Sequence, residues 1–231
     1  MFRSSILLGL SLATWAAHAG TVQVTVVDRD GRPAPDVVVL IEAPGARAPA
    51  AAAPVVPITQ EGLRFVPTLT VVSLGSTLRF TNKDAYDHHV RAMPSGPLGG
   101  IAPAKTFELR LDAADEAAQQ VDEYKPPVPV KRKANPVRSA DVKVDQPGPI
   151  GLGCHIHSSM RGQVYVSPTP WFGKTDAQGI ATIDNVPDGP VQVNLWHGEQ
   201  LQDQAMQMVQ SGAAPAKVSA QLNFTPRRRR S

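Results

Sequence analysis

The sequence predicts an all-β protein, and three observations carry that reading. The 231 residues include 22 prolines and 18 glycines, and long apolar runs at helical spacing are few, which favours strands and loops. Several stretches alternate apolar and polar residues. Turn signals such as Asp30-Gly31-Arg32-Pro33 separate them. Many short strands divided in this way suggest a Greek-key β-sandwich.

Residues 1–19 read as an export signal. Arg3 supplies the positive start, Ile6 to Trp15 a short apolar core, and Ala17-His18-Ala19 a small-x-small cleavage site. The apolar run is too short to span a bilayer, so the expected location is a bacterial periplasm, with no stable membrane span. From Thr21 to Val26 the alternation puts Val22, Val24 and Val26 on one face of a strand. Asp36 to Glu42 is a second strand with a continuous apolar middle, and Pro44 to Pro57 reads as an Ala/Pro-rich linker. Further strands are expected at Leu69–Ser73, Ser76–Thr81, His89–Met93, Thr106–Leu111, Val142–Val144 and Gly162–Ser167.

Residues 112–140 break the pattern. Their first half is acidic, and their second half is basic and proline-rich. This segment reads as an exposed polar insertion with one short helix near Asp115 to Val121. Beyond Pro170, strands are expected at Ile180–Ile183, Val191–Trp196 and Val218–Phe224, with turns at Thr175–Gly179 and Asn185–Gly189.

The chemistry concentrates in Cys154-His155-Ile156-His157-Ser158-Ser159-Met160, where the only cysteine stands in Cys-x-x-His-x-x-Met spacing. Alone, a buried Cys is a small hydrophobe and a Met is core filler. Together with His157 they offer one metal a thiolate, an imidazole and a thioether. Thiolate, imidazoles and a weak axial methionine form the ligand set of a blue-copper site. A second imidazole is required, and His88 and His89 are the candidates. Neighbouring strand residues face opposite ways, so only one of the pair aims at the metal. A single Cys in an oxidising compartment, where cysteines are normally paired, gains both protection and a role from metal ligation. His155 reads as a surface or packing residue and His197 as structural. Asp84 and Asp87 could accept an imidazole proton, although turn roles are commoner.

Charge and motifs exclude other classes. The formal charge is +3. Without the export signal 22 basic residues face 20 acidic ones, and without Arg227 to Arg230 the balance is 18 to 20. A slightly acidic body argues against nucleic-acid binding. The sequence has no Gly-x-Ser-x-Gly nucleophile motif and no phosphate loop, so no enzymatic activity is expected. The tail at 227–231 is expected to be disordered, and it could steer encounters with an acidic surface.

The region from Ile58 to Val166 resembles a cupredoxin of the plastocyanin and amicyanin type. The residues that carry this are Phe65-Val66-Pro67, the run from Val71 to Asn82, His88-His89-Val90, Cys154 to Met160, and Gly162-Gln163-Val164-Tyr165-Val166. The resemblance implies one type 1 copper held by His88, Cys154, His157 and Met160, with the edge of His157 as the electron port. His89 stands where the family has Asn. The whole chain is also similar to secreted bacterial plastocyanin-like proteins often labelled methylamine utilization proteins.

Thr175-Asp176-Ala177-Gln178-Gly179 and Val186-Pro187-Asp188-Gly189 resemble the transthyretin-like regulatory modules attached to carboxypeptidases. The expected organisation is therefore a discontinuous sandwich of residues 20–44 and 170–226, with a cupredoxin at 45–169 inserted into it. The leading expectation is a carrier of single electrons between redox protein partners. The alternatives are a copper-delivery protein that does not cycle, and an interaction or carbohydrate-binding module.

Overall fold

The computed structural model describes residues 19–45, 53–113 and 136–227. These residues form sixteen strands and no helix, so the protein is all-β. The chain opens with β1 (Ala19–Val27). Val22, Val24 and Val26 are fully buried on one face of it, and burial of each side chain is worth roughly 1.5–3 kcal/mol. The Asp28 carboxylate then accepts hydrogen bonds from the backbone N–H groups of Asp30 and Arg32 at 2.8 and 2.9 Å and closes the turn. The apolar run in β2 (Val38–Glu42) reflects burial on both faces. Val39 and Ile41 join one core, while Val38 and Leu40 join another.

The middle of the chain supplies nine strands. They are β3 (Val55–Glu61), β4 (Arg64–Val66), β5 (Leu69–Ser73), β6 (Thr77–Asn82), β7 (His88–Met93), β8 (Glu108–Leu111), β9 (Ser139–Lys143), β10 (Gly148–Cys154) and β11 (Arg161–Ser167). They make two sheets, in the orders β4-β3-β6-β9 and β5-β11-β10-β7-β8. Ile58, Leu78 and Phe80 of one sheet share a core with Leu111, Ile150 and Leu152 of the other.

The chain ends with β12 (Trp171–Lys174), β13 (Ile180–Pro187), β14 (Gly189–Trp196), β15 (Gln207–Ser211) and β16 (Ala216–Gln221). With β1 and β2 they form the sheets β13-β1-β16 and β12-β2-β14-β15. Strands from both chain ends therefore share one sandwich around Val22, Val24, Ile41, Ile183 and Val193. Gly179, with φ +75°, turns the chain tightly against β1, and a Cβ there would lie 2.3 Å from the Val26 carbonyl oxygen. Any side chain at this position would collide with that backbone.

The two sandwiches meet through a small apolar cluster. Val38, Leu40 and Trp196 of one pack with Leu69 of the other, together with Val71, Tyr165 and Phe172. The rings of Tyr165 and Trp196 lie 4.8 Å apart. Lys174 Nζ also donates to the Leu69 carbonyl at 3.3 Å.

Several elements differ from their sequence expectations. The linker expected to run to Pro57 already belongs to β3 from Val55 onward. Pro57 is accepted because β4 pairs only with Thr59 to Glu61, which leaves one edge of β3 open beside Pro57. The turn expected at Asn185 to Gly189 is mostly strand. Register shifts between Gly20 and Val22, and Asn185, with φ +59°, takes up the extra residue of that irregularity. Ser139 and Ala140, assigned to the polar insertion, pair with Thr81 and Phe80 in β9 and β6. The insertion is closed at its neck. Asp112 N–H donates to the Val137 carbonyl at 2.8 Å, and Val137 N–H donates to Asp112 Oδ2 at 2.7 Å. The bulk of the insertion with its expected helix, residues 1–18 of the expected export signal, and residues 228–231 lie outside the described residues. Among the described residues no helix is long and apolar enough to cross a membrane.

Candidate metal centre

The register of two adjacent strands builds the site. β7 and β10 pair antiparallel with Val90 opposite Cys154. Side chains alternate along a strand, so His88, two residues before Val90, faces the same interior as Cys154. The turn after β10 then folds back, with the Met160 N–H donating to the His157 carbonyl at 3.0 Å. This brings the His157 ring over the other two.

Cys154 Sγ lies 3.7 Å from His88 Nδ1 and 3.6 Å from His157 Nδ1, and the two nitrogens are 3.2 Å apart. A point equidistant from all three atoms lies about 2 Å from each, close to the ~2.0–2.1 Å at which imidazole binds a first-row ion. The three donors therefore surround a space of metal-ion size. Among the described residues this is the one group of three such donors this close together. Thiolate sulfur with two imidazoles is a donor set suited to copper.

Burial grades the site from inside to outside. His88 is fully buried and Cys154 is 3% exposed, whereas His157 is partly exposed. Met160 is buried below, in the same core cluster as Cys154. Tyr86 packs edge-on to His157, with ring centroids 6.2 Å apart. Tyr86 and Ile156 are both exposed on this rim.

Asp84 fixes His88 from behind. Its Oδ2 lies 2.9 Å from His88 Nε2, which places the ring proton on Nε2 and turns the Nδ1 lone pair toward Cys154 and His157. The same carboxylate accepts the backbone N–H groups of Gly62 and Leu63 at 2.6 and 3.0 Å. Burial pushes the Asp84 carboxyl upward, but the Leu63, His88 and Gly62 hydrogen bonds outweigh it and hold its pKa below the ordinary value. Burial lowers the His88 pKa, an effect the Asp84 hydrogen bond only partly offsets. His88 is therefore a neutral imidazole at pH 7, the form that binds a metal. Asp84 thus combines the turn role and the imidazole role, between which sequence spacing alone could not choose.

Asn82 braces the loop from β6 to β7. Its amide donates to the Tyr86 and Asp112 carbonyls at 2.6 and 2.9 Å, and its oxygen accepts the Asp84 N–H at 2.9 Å. Asp87 contributes as well, accepting from Ala113 N–H and Arg110 at 3.0 and 3.1 Å. His89 points away from the metal site, but its backbone N–H donates to Cys154 Sγ at 3.4 Å. That contact is made by the backbone and does not depend on the side chain at this position. His197 belongs to the other sandwich and packs on Phe224.

The sequence matches no protein-family model and no curated protein. Solved structures do show likenesses. A mutant amicyanin in its Cu(I) form shares 16% identity, covering 56% of this chain and 98% of its own, at a TM-score of 0.33. An oxidised amicyanin mutant shares 15% identity over 55% of this chain and 98% of its own, at 0.32. A copper-containing nitrite reductase from Thermus scotoductus SA-01 shares 18% identity over 61% of this chain and 28% of its own, at 0.34. At such identities and TM-scores these likenesses decide nothing about activity. The donor geometry is what bears on function.

Proposed function

We propose that this chain is a periplasmic cupredoxin that holds one type 1 copper and carries single electrons between redox proteins. The observation that carries the proposal is the triangle of His88 Nδ1, Cys154 Sγ and His157 Nδ1, with sides of 3.2 to 3.7 Å. Copper, when bound, supplies a one-electron couple. The protein supplies donors that need not move. His88 is locked by Asp84, Cys154 sits at the end of a central strand, and Met160, buried in the same core cluster, would offer a thioether to the ion. Rigid elements hold such donors more accurately than free loops, and little rearrangement is then needed between oxidation states. His157 is the donor nearest solvent, so a redox partner docks over it, against Tyr86 and Ile156. The lone cysteine and the export signal expected at residues 1–19 support a location outside the cytoplasm.

The test is to load the protein with Cu(II). An intense blue thiolate charge-transfer band and a reversible one-electron wave support electron carriage. A colourless protein that retains only Cu(I) would make it a delivery protein. A protein that retains no copper would leave only an interaction module.

A further inference from the structure

We propose that the cleft between the two sandwiches binds a small organic di- or tricarboxylate beside the metal loop. The cleft has a volume of about 870 Å³, within the range of small-molecule sites, which favour domain junctions. One wall forms where β4 packs on the start of β11. A Cβ at Gly162 would lie 3.0 Å from the Phe65 Cβ, so the two segments are in close contact there. Arg64 and Arg161 precede those two residues, and both line the cleft. The second sandwich contributes the other wall. The Gln163 amide packs so closely on the Gly198 backbone that a Cβ at Gly198 would collide with it. Glu199, the next residue, lines the cleft as well.

The donors and charges around this space select the ligand. Arg64 and Arg161 are exposed, and among the described residues neither forms an ion pair. Thr68, Ser159 and Gln163 add two hydroxyls and an amide. Among the described residues the one carboxylate in the lining is Glu199, and its Oε2 already accepts the Arg227 N–H at 2.8 Å. The lining is therefore rich in donors and carries an excess of positive charge, which suits an oxyanion. A guanidinium is a planar fork that matches a carboxylate through two parallel hydrogen bonds. Two such groups without acidic partners suit a ligand with more than one carboxylate, and a single inorganic oxyanion would fill only a small part of the cleft. Arg161 also ties the cleft to the metal loop, because its Nη1 donates to the Met160 carbonyl at 2.9 Å. A guanidinium has five N–H donors, so others remain for a ligand. An anion bound there lies beside the metal loop and favours Cu(II) over Cu(I) by its charge. That effect rests on the function proposed above, whereas the binding itself does not.

Calorimetry of the copper-loaded full chain with succinate and with tricarballylate, at low and fixed ionic strength, tests this. One saturable equivalent is expected. Metal-free protein and Cys154→Ser are expected to bind the same equivalent, which separates this site from the metal centre and from carboxylate bound to copper itself. Arg64→Ala is expected to weaken binding at least tenfold, and Arg161→Lys severalfold. Both side chains are exposed, and circular dichroism checks that the variants fold. Inorganic phosphate and sulfate are expected to bind at least tenfold more weakly than tricarballylate. Voltammetry of the copper-loaded protein is expected to show a lower reduction potential at saturating succinate, and no such change in Arg64→Ala at the same concentration. The proposal is overturned if neither carboxylate binds saturably, or if binding survives both arginine substitutions. It is equally overturned if phosphate or sulfate binds as tightly, which would make the cleft a general anion site. A potential that stays fixed while succinate saturates would overturn the coupling to copper.

Discussion

Asp84→Asn and Asp84→Ala probe how the protein prepares its metal donors. The Asp84 carboxylate is 8% exposed and accepts three hydrogen bonds, from His88 Nε2 and the N–H groups of Gly62 and Leu63. Hydrogen bonds to a charged group are worth ~1.5–3 kcal/mol each, and orphaning a buried donor carries its own penalty. Alanine removes the acceptor from all three. The Gly62 and Leu63 donors are only partly buried and water replaces some of what they lose, whereas His88 is fully buried, so the expected loss in the metal-free protein is about 3 kcal/mol. Asparagine keeps one oxygen acceptor and loses the charge, and is expected to lose about half as much. Partners that orient a metal-bound histidine are typically worth ~10–100-fold in metal affinity. Cu(II) depends on that charge more than Cu(I) does, so the reduction potential rises. A tenfold loss confined to Cu(II) corresponds to about 59 mV. Urea denaturation, copper competition titration and voltammetry of the three proteins read these effects. Unchanged copper affinity and potential in Asp84→Asn would refute the idea that this carboxylate sets the His88 donor.

Four further outcomes follow from the same geometry. Cys154→Ser is expected to abolish the thiolate colour and keep the β-sheet circular dichroism, because serine offers only a weakly coordinating oxygen; a surviving blue band would move the site elsewhere. Copper is expected to be lost in His88→Ala and retained in His89→Ala, read by the blue band, and the opposite pattern would reverse the assignment of the two residues. Metal-free protein is expected to lose stability as pH falls below about 6.5, the ordinary histidine value. The His88 pKa is lowered in the folded state, so the unfolded chain takes up the proton first. Asp84, also lowered, extends the loss through the carboxylate range, and an unchanged denaturation midpoint from pH 7 to pH 5 would contradict this. Trp196→Ala empties the contact between the sandwiches and is expected to cost about 3 kcal/mol in thermal or urea unfolding, at the low end for a buried aromatic, with the copper spectrum unchanged.

Alternation made β1 legible, since Val22, Val24 and Val26 can bury together only on one side of a strand. β2 was legible as a strand, although nothing local reveals that its second apolar face packs on Leu69. No strand was expected at Gly148–Cys154, where three glycines and a proline break any apolar alternation, yet it is the central strand β10. Its glycines answer a demand from the fold, because a Cβ at Gly151 would lie 2.8 Å from the carbonyl oxygens of Met93 and Pro94. β15 was hidden because four of its five side chains remain at least partly exposed, so it has little apolar pattern. β3 was obscured by Pro57, and β12 by its short length. At the site, spacing brought Cys154, His157 and Met160 together on the page. The outward direction of His89 and the three hydrogen bonds accepted by Asp84 depend on strand register and on the β3–β4 turn, which no local pattern encodes.

The central claim is that His88, Cys154 and His157 hold one copper between them. Copper-edge X-ray absorption on the protein loaded at one equivalent tests it most directly. The expected spectrum contains one short copper–sulfur contact and two copper–nitrogen contacts, and it loses the sulfur in Cys154→Ser. A copper environment of nitrogen and oxygen alone, identical in wild type and Cys154→Ser, would contradict the account.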